Sequence, residues 1–221
     1  MNRQRINAII TGYSLILMAV VAGFSIGYAF PKFFNVNQLE ITHSNLSENV
    51  QLYLSMLIGI VVIIILDILV SWTIYQFFKN DNQKIALMSF ILRMIYVVIF
   101  GLATYFLFAN LGLKNNELLN SNYNSFQTIW FLGLIVFGLH LFAIGILMKI
   151  HKNIPKALWI LTLIAGISYV LVHILKTTLP QLSEFTEILN NVLALPMALG
   201  ELGLAIWMII KGGKSKSITN A

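Results

Sequence analysis

Apolar residues run along this chain in long unbroken stretches, and the polar ones collect between them. Six such stretches can be marked off, at 7–30, 52–78, 85–109, 126–149, 156–176 and 189–211. Each is long enough to cross a bilayer as a helix, which takes about 20 residues. None shows the period-2 alternation of a membrane barrel strand. The pattern predicts an all-α, polytopic membrane protein with six transmembrane helices, folded as a single helical-bundle domain over residues 1–221.

The connections agree. "KNDNQK" (79–84) and "IHKNIP" (150–155) are too short to carry the chain across a membrane, so the helices they join must be antiparallel neighbours. The segments 31–51, 110–125 and 177–188 are longer and rich in Asn, Ser and Glu. None is large enough for a soluble domain. Arg3 and Arg5 before the first stretch give it the start of a signal peptide, but its apolar run exceeds the usual 7–15 residues of a signal core. It is expected to stay as a helix.

Composition sharpens the class. Only 10% of residues are charged and 58% are hydrophobic, whereas soluble domains are about one quarter charged. There are no cysteines, which excludes disulfides, thiolate metal sites and cysteine nucleophiles. The formal charge is +6, and its distribution explains it. With the N-terminus inside, Arg3, Arg5, Lys79, Lys84, Lys149, Lys152, Lys156, Lys211, Lys214 and Lys216 fall on the inner side. Lys32, Lys114 and Lys176 fall outside, as do Glu40, Glu48, Glu117, Glu184 and Glu187. This positive-inside bias predicts an N-in, C-in topology. The basic charge is therefore topogenic, and nucleic acid is not an expected partner.

Small and polar residues recur on single helical faces: Thr11, Ser14, Met18, Ala22 and Ser25; Ser89, Arg93, Tyr96 and Thr104; Thr162, Gly166, Tyr169 and His173; Ala194, Ala198, Glu201 and Ala205. Such faces are how membrane helices pack, and Gly23 with Gly27 is expected to allow the same close approach. Four ionisable residues in four stretches stand out from this background: Asp67, Arg93, His140 and Glu201. Counted from the inner ends of their helices, they lie about 12–17 Å deep, within one turn of each other. Facing lipid, each would cost at least about 2.5–3.5 kcal/mol, so they are expected to turn inward and pair. Arg93 is the natural hub, able to fork to a carboxylate through two parallel hydrogen bonds. His140 is the group expected to titrate. Pro196 removes a backbone donor and is expected to kink the last helix one turn from Glu201.

Other chemistry finds little support. His140 and His173 differ in depth by about 12 Å, too much for one haem iron. There is no H-E-x-x-H pair for zinc, no G-x-S-x-G serine and no phosphate-binding loop. No cofactor and no metal are expected. The favoured function is a small binding or translocation module whose polar layer, Asp67, Arg93, His140 and Glu201, engages a proton or a small ligand. An intramembrane enzyme using His140 and a carboxylate as acid and base or as metal ligands, which needs a cavity reaching the layer, is the second reading. A structural or accessory subunit, which needs a solid core, is the third. Expected partners are the bilayer, the small ligand or proton, and further copies of the chain.

A set of motifs runs through nearly the whole sequence: Arg5-Ile6 with Gly12-Tyr13, Arg93, Gly138-Leu139-His140-Leu141 with Gly145, and a short basic loop ending in Pro155. Gly166 and Tyr169 follow, then Pro196, Gly200-Glu201-Leu202, Trp207 and Lys211-Gly212. In these the chain resembles a large family of bacterial six-span membrane proteins catalogued as a domain of unknown function. It departs from that pattern at Val172-His173, where a carboxylate is expected. The resemblance implies a six-helix fold and a bacterial inner-membrane location, and no activity.

Overall fold

Helices begin where a polar side chain can take over an unpaired backbone N–H. Asn2 accepts from Arg5, Asn82 from Ile85, and Asn115 from Glu117 and Leu118. Pro155, which cannot continue a helix from before it, stands directly ahead of another. The computed structural model describes residues 2–34 and 43–214. Glu40 and Lys216, assigned above to the outer and inner sides, lie outside the described residues.

The first span comprises α1 (Arg3–Ala22), a π-helical segment Gly23–Ala29 and α2 (Phe30–Phe33). A short α3 (His43–Glu48) precedes the long helices α4 (Val50–Phe78), α5 (Gln83–Ala109), α6 (Asn116–Ile150), α7 (Lys156–Thr178) and α8 (Ser183–Ile210). Among the described residues six helices are long and apolar enough to span a membrane; five contain a whole predicted stretch, and the sixth ends at Ile210, one residue short of its own. The chain is a multi-pass, all-α membrane protein. Two helices outrun the apolar pattern: α6 starts at Asn116 and α8 at Ser183, each well before its stretch. In α6 the polar first turns are held by the buried Leu119 and Phe126.

The helices pack in chain order, α1 on α4, α4 on α5, α5 on α6, α6 on α7 and α7 on α8. Then α8 returns to α1 and closes a ring. The closing contact is made at the end that carries both termini. Arg5 donates from Nη1 to the carbonyls of Met208 (2.9 Å) and Gly212 (2.8 Å), and from Nη2 to that of Ile209 (2.5 Å). It thereby caps the carbonyl end of α8. At the same end His151 Nδ1 lies 2.9 Å from Asp81, joining the two short loops. Large apolar side chains face outward from the ring, among them Ile58, Ile65, Val98 and Leu102, as contact with lipid requires.

Close approach falls on other glycines than those expected. A Cβ on Gly23 or Gly27 would meet nothing within 4 Å, so neither marks a tight seam. Both lie instead in the π-helical segment, where Phe30 donates to the carbonyl of Ser25, five residues back. One tight seam is between α6 and α7, and another brings Gly12 of α1 against Ala205 and Ile209 of α8. A Cβ on Gly138 would come within 2.7 Å of the Gly166 carbonyl, and one on Gly166 within 2.7 Å of the Phe142 nitrogen.

Candidate functional site

The axis of the ring holds Arg93, a residue whose charge persists even in an apolar interior. Its side chain is 1% exposed, so every donor needs a partner inside the protein. Nε (2.9 Å) and Nη2 (2.6 Å) both donate to one oxygen of Asp67, Oδ1. The expected parallel fork, one bond to each carboxylate oxygen, is thus replaced by two bonds converging on a single atom. Nη1 lies 3.1 Å from His140 Nε2 and 3.7 Å from Glu201 Oε1. The guanidinium carbon also sits 5.4 Å from the centroid of the Phe137 ring. Residues from α4, α5, α6 and α8 therefore meet around one side chain, which the similar depths of the four had suggested.

The tautomer of His140 follows from its neighbours. A guanidinium only donates, so Nε2 accepts from Arg93 and Nδ1 carries the proton. Nδ1 lies 2.9 Å from both the carbonyl and the hydroxyl oxygen of Ser89. Both ring nitrogens are thus engaged, and the side chain is buried. Ser89 was marked in the sequence only as a packing residue. Here it orients the imidazole.

Glu201 is placed differently. Its Oε1 is buried and receives no hydrogen bond, while the side chain as a whole is 22% exposed. That exposure opens into a cavity of about 360 Å³ inside the ring. Asp67 and Glu201 lie on its wall, and Asn190 and His173 border it nearer the other end of α8 and α7. Along α8 it follows Asn190, Ala194, Met197, Ala198 and Glu201, about 16 Å at 1.5 Å per residue. Ala194 and Ala198, expected in a packed seam, instead border this space. Helix α8 continues through Pro196, one turn before Gly200.

Aromatic rings form much of the remaining wall: Tyr96, Phe100, Trp130, Phe137 and Tyr169. Tyr96 stacks on Phe100 at 5.7 Å, Phe100 on Trp130 at 6.0 Å, and Phe137 meets Tyr169 edge to face at 5.3 Å. Only Tyr96 and Tyr169 had been singled out from the sequence, as members of polar faces. The others gave no signal, because aromatic residues at helical spacing are ordinary in apolar helices. His173 donates from Nδ1 to the Tyr169 carbonyl at 2.8 Å and stacks on the Tyr169 ring. It stands apart from His140. Among the described residues, no three His, Cys, Asp or Glu side chains converge as a metal would require.

Comparison with known proteins bears on this arrangement as a whole. The profile of a domain of unknown function, DUF4386, matches residues 10–212. The chain belongs to the DUF4386 family. The match takes in all four polar-layer residues, and it agrees with the resemblance carried by the motifs. An uncharacterised protein of Archaeoglobus fulgidus is 29% identical to this DUF4386 chain over 164 residues, which is 74% of the chain and 88% of that protein. Similarity therefore extends to an archaeal protein as well. No solved structure matches.

Proposed function

We propose that this DUF4386 chain is a small binding or translocation module of the bacterial inner membrane, in which Glu201 engages a small polar ligand or a proton from the adjoining cavity. One observation carries the reading: Glu201 presents a buried, unbonded carboxylate oxygen 3.7 Å from a fixed guanidinium, at the wall of a 360 Å³ space. An intramembrane carboxylate without a hydrogen-bond donor is costly and is the kind of group that function retains. Arg93 supplies fixed charge. Asp67 holds Arg93 in place through Oδ1. His140, with both nitrogens engaged and no share of the cavity wall, is a positioning residue in this reading and not the titrating group.

The cavity speaks against a purely structural subunit, for which a solid core was expected. The engagement of His140 speaks against an enzyme using it as acid or base on a ligand in the cavity.

The test is chemical modification of the protein in lipid nanodiscs with a membrane-permeant carbodiimide, followed by peptide mass spectrometry. Glu201 should be modified, Asp67 should not, and Ala198→Trp, which fills the cavity, should abolish the reaction. An unmodified Glu201 in the wild-type protein would sink the reading.

A further inference from the structure

The cavity has a chemical character that narrows what it can hold. Its charged wall is acidic. Among the described residues Asp67 and Glu201 both border it and no Lys or Arg does, while Arg93 lies behind them, bonded to Asp67 and His140 and 3.7 Å from Glu201. With both carboxylates ionised against one guanidinium, the layer carries one negative charge in excess. An anionic ligand would meet two carboxylates and gain no accessible cation.

The rest of the wall is suited to an organic cation. The faces of aromatic rings carry negative electrostatic potential and attract ammonium groups that have shed their water. Tyr96, Phe100, Trp130 and Tyr169 offer ring surface here, and Phe137 already faces a cation, Arg93, at 5.4 Å. Met18, Ile63, Leu134 and Met197 complete the wall with apolar surface, which suits alkyl or aryl substituents. A bare metal ion fits less well. It asks for several oxygen ligands closing around it, and the described residues bring no third His, Cys, Asp or Glu to the two carboxylates. The volume, about 360 Å³, lies at the lower end of the range for small-molecule sites.

We propose that the cavity binds a small organic ammonium ion, its charge paired with Glu201 and its substituents packed among Tyr96, Phe100, Trp130 and Tyr169. The proposal rests on the reading of Glu201 above and names the ligand class. It also compensates from the cavity a carboxylate whose buried oxygen, Oε1, takes no hydrogen bond. The cation supplies from the cavity the compensation that Arg93, already shared with Asp67 and His140, provides only at 3.7 Å.

The experiment uses the carbodiimide assay on the full chain in nanodiscs, with three probes of similar size at matched ionic strength set with sodium chloride. These are benzyltrimethylammonium chloride, benzyl alcohol and sodium benzoate. The cation should slow modification of Glu201 at least tenfold, saturably, and Phe100→Leu should weaken that protection severalfold, measured against the variant's own unprotected rate. Benzyl alcohol and benzoate should protect little. Protection by benzoate or benzyl alcohol in preference to the cation would overturn the ammonium assignment and leave the ligand-binding reading of Glu201 standing. Labelling that no probe slows would overturn it too. Failure of Glu201 to label at all would remove both.

Discussion

Arg93 directs Nε and Nη2 onto the same oxygen of Asp67, at 2.9 and 2.6 Å, with both side chains almost fully buried. Two donors on one acceptor atom make Asp67 the anchor that fixes the direction of the guanidinium plane, and with it the position of Nη1 between His140 and Glu201. Removing either partner leaves a buried charge without compensation. Asp67→Asn and Arg93→Gln should each lower stability by about 3–5 kcal/mol. The double variant should lose clearly less than the sum, because the orphaned charge is gone. Thermal unfolding in detergent checks this, and additive losses would show that the two residues do not act as a pair.

Glu201 should behave otherwise. Its Oε1 takes no hydrogen bond and its approach to Arg93 is 3.7 Å, so Glu201→Gln exchanges one imperfectly compensated group for another. The expected change in stability is within about 1 kcal/mol, or a gain, as for residues kept for activity at a cost in stability. A loss near that of Asp67→Asn would make Glu201 part of the scaffold.

Closure of the ring depends on the N-terminal arginine. Arg5 donates to the Met208 and Ile209 carbonyls in the last turn of α8 and to the Gly212 carbonyl just beyond it; a bond from a charged donor contributes about 1.5–3 kcal/mol, and less where water competes for it. Arg5→Ala should destabilise by about 2–4 kcal/mol and raise amide hydrogen exchange over 208–212. Arg5→Lys, with one ammonium in place of the fork, should restore only part of the loss. Unchanged exchange at the end of α8 would refute the capping role.

The glycines offer a paired comparison. Gly166→Ala forces a methyl against the backbone of α6 at 2.7 Å, and such overpacking costs about 1–3 kcal/mol. Gly23→Ala meets empty space and should be neutral or stabilising by up to about 1 kcal/mol. Unfolding midpoints of the two single variants decide the matter. Equal losses would mean that both glycines sit at packed seams.

Number and order of the spans were legible in the sequence, because hydropathy over about 20 residues is a local property that the bilayer reads directly. The charged layer was legible for a related reason. Depth along a helix follows from residue count, and the cost of facing lipid requires charges at one depth to seek each other. That is how Asp67, Arg93, His140 and Glu201 could be grouped before any contact was known. Only the tertiary structure decided the ring order of the helices, the turn of His140 toward Ser89, and the tight pair at Gly138 and Gly166 in place of Gly23 and Gly27. The same holds for the cavity beside Ala194 and Ala198, whose small side chains fit a packed seam or an open wall equally well. These depend on how each helix is rotated about its axis and on which partner it meets. Rotation and partner are settled by side chains from distant parts of the chain fitting together, so no local pattern contains them.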